Sequence, residues 1–343
     1  MRVLVAPDKF KGTLTAAEVA AHLAAGLREA GHEAVELPVA DGGEGTLAAA
    51  LAAGFRRVPA GPAAIGLRGD TAVVELALAS GLQLGPPDPL GATSRGTGEL
   101  LRAALDAGAR RVVLGVGGSA CTDGGAGLLT ALGVRILSTR GDPVPDGGGG
   151  LREAASVDLR GLDPRLRDTE IVLACDVDNP LLGPRGAAAV YGPQKGATPA
   201  QVRLLEEALA HLASLVGPGA ERPGAGAAGG VGYAALAVLG ARRRPGIEVV
   251  LELLGFAAHL RTADLVVTGE GALDAQTLHG KAPAGVAVAA RAAHVPVVAV
   301  CGRCDLDPAQ TPFARVTALA DLDPERCLTD PGPLLRRVGR AQR

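Results

Sequence analysis

Five carboxylates follow short apolar runs: RVLVAP leads to Asp8, VELPVA to Asp41, VVLGVGG to Asp123, IVLAC to Asp176 and DLVVTG to Glu270. In open α/β sheets ligands bind outside the carboxyl ends of strands, so acids placed there can hold a divalent cation or take a proton. Aspartate also caps the helix that follows a strand-to-helix turn, so each acid taken singly reads equally well as a cap. Five of them, most with glycine alongside, read as a site.

Two glycine-rich stretches sharpen that reading. Asp41-Gly42-Gly43-Glu44-Gly45-Thr46 and Gly117-Gly118-Ser119-Ala120-Cys121-Thr122-Asp123-Gly124-Gly125 each lie between an expected strand and an expected helix. Glycine lets backbone N–H groups approach an anion there, although tight turns also use glycine for steric reasons alone. Of 34 basic residues, four are lysine: Lys9, Lys11, Lys195 and Lys281, in DKFKG, GPQKG and HGK. Coding bias explains the many arginines but not where the lysines remain. A compact ammonium on a flexible stem suits contact with phosphate oxygens. Cations for a phosphoryl group, carboxylates for Mg²⁺ and one carboxylate for the acceptor's proton are the parts that phosphoryl transfer uses.

Other chemistries find less support. GxxxxGK[ST] is absent, which excludes a P-loop. Gly224-Ala225-Gly226-Ala227-Ala228-Gly229 matches GxGxxG but follows Gly-Pro-rich sequence instead of a strand, so a dinucleotide fold gives way to a hinge or a phosphate loop before a helix near Val231. The histidines fall at no metal-ligand spacing, and His279, beside Gly280-Lys281, reads as a surface residue near the site. Cys301 and Cys304 form a CxxC with no second pair to complete a metal set, and five cysteines argue against a disulfide framework.

The elements that must position these groups follow from composition. The chain has 343 residues, 48% hydrophobic but 2% aromatic, so its core is built from Ala, Val and Leu, as in parallel strands covered by helices. That length suits two α/β domains. Strands are expected at 2–6, 34–39, 72–77, 112–116, 171–175, 265–268 and 295–300. A capping box at Thr15 and Glu18 opens a helix to Ala30, and Thr198-Pro199 opens another to about Leu215. The expected architecture is two α/β domains with largely parallel sheets and an active-site cleft between them. One domain is discontinuous: a Rossmann/flavodoxin-like domain from 1–70 and 285–343, with 71–284 inserted. A net charge of −2, few aromatics and no long apolar run favour a cytoplasmic protein with no nucleic-acid or membrane partner; a homodimer fits as well.

The order of the loops then carries a resemblance: APDKFKGTLTA, VADGGEGT, TGELLRAALDAG, GVGGSACTDGGAG, ACDVDNPL, GPQKGAT, GAGAAGG and TGEGALDAQTLHGKAP. From residue 1 to about 302 the chain resembles the glycerate kinase family, which includes bacterial glycerate 2-kinases. The resemblance implies ATP as phosphoryl donor, Mg²⁺ and D-glycerate as acceptor, giving 2- or 3-phosphoglycerate. A kinase for another small hydroxy or sugar acid is the nearest alternative; a nicotinamide-dependent hydroxyacid dehydrogenase and a non-catalytic sensor are more distant ones. With that chemistry, Asp8, Lys9 and Lys11 face substrate or transferred phosphate, with Asp41, Gly42, Gly43 and Glu44 nearby. Gly117, Gly118, Ser119, Thr122 and Asp123 cradle an anion; Asp176 and Asn179 contact substrate or metal beside Gln194 and Lys195; Glu270, Asp274 and Lys281 complete the set. Asp123, Asp176 and Glu270 are the candidate metal ligands, and the general base stays open among Asp8, Asp41, Asp123, Asp176 and Glu270. Three departures stand out: Thr122 where the family often has Asn, Ala272 where it often has Arg, and a shortened 59–70 segment expected to trim an edge hairpin.

Overall fold

The computed structural model describes residues 1–275, 277 and 280–342, so His279 lies outside the described residues. Its strands are β1 (Arg2–Val5), β2 (Glu33–Glu36), β3 (Arg56–Ala60), β4 (Ala63–Arg68), β5 (Thr71–Glu75), β6 (Arg111–Gly115), β7 (Arg135–Ser138), β8 (Ala154–Asp158), β9 (Glu170–Ala174), β10 (Arg242–Arg244), β11 (Leu265–Leu273), β12 (Val297–Cys304) and β13 (Arg315–Ala318). The chain forms two compact units, one of Met1–Asp41, Ala48–Gly54 and Pro245–Arg343, the other of Gly42–Leu47 and Phe55–Arg244.

The first unit holds a sheet of order β13-β12-β11-β1-β2 in which every neighbouring pair is parallel. Parallel strands need crossovers, and helices such as Ala16–Glu29 and Ala282–Ala292 supply them. The expected capping box is present: Thr15 accepts from the Glu18 backbone N–H at 3.3 Å, and the Glu18 carboxylate accepts from the Thr15 N–H at 2.8 Å. Val3, Val5, Val19, Leu23 and Leu27 are fully buried on one side of the sheet, and Val266, Leu273 and Val286 on the other.

The second unit has a mixed sheet of order β10-β9-β6-β5-β4-β3, parallel from β10 to β5 and antiparallel through the β3–β4 hairpin, with β7 and β8 paired separately. Thr198 and Gln201 form a second capping box, opening the helix Pro199–Val216. Hydrophobic residues from one face of the sheet, Leu114 and Leu173 among them, and from the helices that carry Leu100, Leu128 and Leu209 make one continuous core.

The boundaries expected at 70/71 and 284/285 differ from these units. β3 and β4 pair with β5, so residues 56–68 belong with the second unit, and β11 lies between β1 and β12, which puts 245–284 with the chain ends. The edge hairpin over residues 56–68 is tight: Ala60 pairs with Ala63 across a two-residue turn in which Gly61 has φ +60°, and the Arg68 guanidinium stacks over Phe55 at 4.2 Å. Pro59 sits on an edge strand, where its missing N–H costs no ladder bond. β11 runs to Leu273, five residues past its expected end, because Gly269 to Leu273 keep pairing with β12. Among the described residues no helix is long and apolar enough to cross a membrane.

The terminal helix Gly332–Arg340 lies against Ala16–Glu29 at glycines. A Cβ at Gly26 would stand 2.0 Å from the Arg336 carbonyl oxygen, and one at Gly339 would stand 2.3 Å from that of Leu23. Both obstacles are backbone, so neither can swing aside. Gly26→Ala is expected to cost about 1–3 kcal/mol, read as a lower urea unfolding midpoint; an unchanged midpoint would show that the two helices separate freely.

Candidate active site

The parallel pairing of β1 with β11 brings two of the predicted acids to one edge of the first unit's sheet. The Asp8 N–H donates to the Gly269 carbonyl at 2.8 Å, which sets Asp8 beside the residue preceding Glu270. Asp8 is 6% exposed; its Oδ1 accepts from the Lys9 N–H at 2.7 Å and lies 3.6 Å from the Lys9 ammonium. Burial raises the Asp8 pKa to about 7, opposed by Lys9 and reinforced by the negative charges of Asp41 and Glu270.

Glu270 is likewise held above the usual carboxylate range, by burial first and then by Asp274 and Asp41. The Thr277 hydroxyl donates to its Oε1 at 2.5 Å, and the Lys281 ammonium lies 3.6 Å from Oε2 and 3.3 Å from Asp274 Oδ1. Lys281 is also the residue from which the helix Ala282–Ala292 starts. Asp8, Lys9, Asp41, Glu270, Asp274 and Lys281 therefore form one charged group, with Lys11 exposed on the β1 loop.

Ala272, one of the three departures noted above, pairs in register with Arg303 of β12. Arg303 escaped the sequence reading because it sits inside the CxxC. Those thiols are free: Cys301 is buried, with its pKa pushed up by burial, and Cys304 donates to the Leu306 carbonyl. Among the described residues no group of three or more His, Cys, Asp or Glu is arranged to hold a metal.

In the second unit the two glycine loops lie against each other. A Cβ on Gly117 would stand 2.5 Å from the Gly43 Cα, and one on Gly118, at φ +76°, would stand 3.0 Å from Glu44 Oε1. Glu75, buried and not anticipated from sequence, accepts the N–H groups of Gly45 and Leu47 at 3.1 and 2.8 Å and so anchors the first loop. In the second loop Lys195 reaches in through the core. Its ammonium donates to Ser119 Oγ at 2.9 Å and to the Cys121 carbonyl at 2.6 Å, and burial lowers its pKa. Thr122 Oγ1 is buried with no partner.

The remaining predicted residues divide. Asp123, a metal candidate, is fully buried, and its oxygens accept from Ser94 N–H and Oγ at 2.8 Å, Gly125 N–H at 3.0 Å and Gly127 N–H at 3.2 Å. That carboxylate fixes the loop to the helix Arg95–Asp106. Asn179 is engaged at both ends, donating to the Arg185 carbonyl at 2.8 Å and accepting from the Tyr191 hydroxyl at 2.7 Å. Asp176 and Gln194 are exposed. The GxGxxG is neither a dinucleotide turn nor a hinge: Gly229 accepts from the Gly124 N–H at 2.9 Å, and a Cβ there would stand 2.0 Å from the Cys121 oxygen, so the segment buttresses the anion-loop candidate.

The raised Asp8 pKa has a stability consequence. Its folded value, about 7, exceeds the ordinary aspartate value of 3.8, so the stability it contributes is present below about 4 and is lost as pH rises through about 7. Asp8→Asn is expected to remove that loss: relative to the parent, the variant gains stability between pH 5 and pH 8 in urea titrations. An equal difference at both pH values would show that Asp8 does not titrate in this window.

The glycerate kinase family model matches residues 3–336. A glycerate kinase of Bacillus subtilis strain 168 is 47% identical over 329 residues, covering 90% of this chain and 86% of that protein. A glycerate 2-kinase of Escherichia coli K12 is 46% identical over 324 residues, with coverages of 88% and 85%. The crystal structure of a glycerate kinase 2 from Salmonella typhimurium LT2 superposes with a TM-score of 0.86 at 43% identity, covering 99% of this chain and 96% of that one. The match runs some fifty residues beyond the last loop motif legible in the sequence, and the chain belongs to the glycerate kinase family.

Proposed function

We propose that the protein transfers the γ-phosphoryl group of ATP to D-glycerate, giving 2-phosphoglycerate, with Asp8 as the general base. The observation that carries the assignment is a buried carboxylate held near pH 7 at the carboxyl edge of the sheet, because a base is most effective when its pKa lies near working pH. The relative named glycerate 2-kinase favours the 2-position. Asp8 accepts the proton of the attacking hydroxyl as the O–P bond forms, while Lys9, already 3.6 Å away, holds the carboxylate in place. Lys11 meets the transferred phosphoryl group. The cost of burying the Asp8 charge, and the smaller repulsion from Asp41 and Glu270, is relieved when the proton arrives, which favours the transfer.

The second unit supplies the phosphate cradle. Lys195, Ser119, the N–H groups of the Gly117–Gly125 loop and the unpartnered Thr122 hydroxyl suit the phosphates of the nucleotide. The donors present fit Mg²⁺ bound chiefly through those phosphates, with Asp176 as protein ligand. Asp176 is an exposed hard-oxygen group after β9, and β9 pairs with β6, the strand that leads into the loop. When bound, the cation neutralises charge on the phosphates.

A coupled ADP-release assay with ATP, Mg²⁺ and D-glycerate, with ³¹P NMR of the product, tests the reading. A glycerate-dependent rate yielding 2-phosphoglycerate is expected; turnover of a different hydroxy acid alone would replace the substrate, and 3-phosphoglycerate would replace the position. Asp8→Asn should lower kcat roughly 10²–10⁴-fold, and kcat/KM of the parent should fall on acidification below about 7. Thr122→Val, which removes a buried hydroxyl with no internal partner, should leave the unfolding midpoint unchanged or raised while raising KM for ATP several-fold. An unaltered KM would remove Thr122 from the nucleotide site.

A further inference from the structure

We infer that a cavity in the second unit, lined by none of the candidate site residues, is a binding site for short aliphatic monocarboxylates held through Arg95. Its volume is about 110 Å³. The walls are mostly apolar: Val134, Ile136 and Leu151 are buried, and Val144, on the segment that returns to donate its N–H to the Ile136 carbonyl at 3.1 Å, closes one side. An apolar cavity of ~150 Å³ takes benzene, so this one suits a chain of about four carbons. Gly127 also lines it, and its N–H donates to Asp123 at 3.2 Å, which sets the cavity directly behind the brace of the glycine loop.

Arg95 and Asp146 line the cavity too, and their side chains are 38% and 39% exposed, so they stand where it meets solvent. Arg95 Nε and Nη2 each donate to one Asp146 oxygen at 2.7 Å. That is the two-bond match of a guanidinium to a carboxylate, so the fork already has the geometry that a ligand carboxylate needs. Magnitudes decide whether a ligand displaces Asp146. An exposed ion pair contributes little, because each partner is well hydrated when apart. Asp146 lies on a segment whose residues 139–143 and Pro145 are also exposed, so once released it returns to water. The incoming acid forms the same two hydrogen bonds and buries its tail as well, a gain of about fourfold in affinity per methylene. A neutral molecule of the same shape gains only the tail and meets a closed pair.

The experiment titrates the full chain with propionate, butyrate and isovalerate, and with isovaleramide as the neutral isostere, following both ligand and protein amide signals by NMR. Saturable binding of isovalerate is expected, with a shift of the Gly127 amide and about fourfold tighter binding for each carbon added from propionate. Isovaleramide should bind at least roughly tenfold more weakly, and so should isovalerate to Arg95→Gln, the worth of a charge-assisted pair. Asp146→Asn, which removes the competing carboxylate, should tighten isovalerate binding several-fold. Both substitutions are at half-exposed positions, so the variants are expected to fold. Absence of saturable binding, an unmoved Gly127 amide, or equal affinity for acid and amide would overturn the inference. So would indifference to Arg95→Gln, or weaker binding in Asp146→Asn, which would show that the ligand does not take the place of that aspartate. Displacement of isovalerate by D-glycerate would put the acid in the acceptor site and equally sink the proposal.

Discussion

The parallel pairing of β1 with β11 is the constraint on which the charged group around Asp8 and Glu270 depends. These strands come from opposite ends of the chain, yet the Ala6 N–H donates to the Val267 carbonyl at 2.7 Å, and the Thr268 hydroxyl donates to the Ala6 carbonyl at 2.8 Å. Because the strands run the same way, both deliver their following residues to the same edge. Asp8 and Glu270 meet there with charge of one sign, and burial makes that proximity expensive. The fold meets the cost with local cations and hydrogen bonds: Lys9 and its own N–H at Asp8, Thr277 and Lys281 at Glu270. Compensation is incomplete, since both carboxylates remain above their ordinary pKa, which is the condition the proposed base at Asp8 calls for.

The second unit solves a different problem, that of holding a glycine loop still. Glycine loops bind anions because their amides can approach closely, but the same freedom costs entropy on ordering. Here the loop is braced on several sides. Asp123 takes three backbone N–H groups and a hydroxyl, Lys195 holds Ser119 and the Cys121 carbonyl, and Gly229 packs on Cys121 from below. A buried carboxylate satisfied by amides and a buried ammonium satisfied by oxygens are costly to place but strongly directional, so they determine one loop conformation. Pre-ordering of this kind is how a loop comes to favour a phosphate without reorganising to meet it.

Much of this was legible from the residue pattern, and the failures have physical reasons. Strands buried on both faces announce themselves as apolar runs, so the five carboxylates after them could be located. Whether each acid caps, braces or reacts depends on partners distant in sequence: Asp123 meets Ser94, and Glu75 meets Gly45 and Leu47. No local pattern separates Asp123 from Asp8. Edge strands such as β3, β10 and β13 carry arginines and a proline in place of apolar runs, which hid them and displaced the unit boundaries. The Thr15–Glu18 capping box, whose partners lie three residues apart, is legible in the sequence and present in the fold.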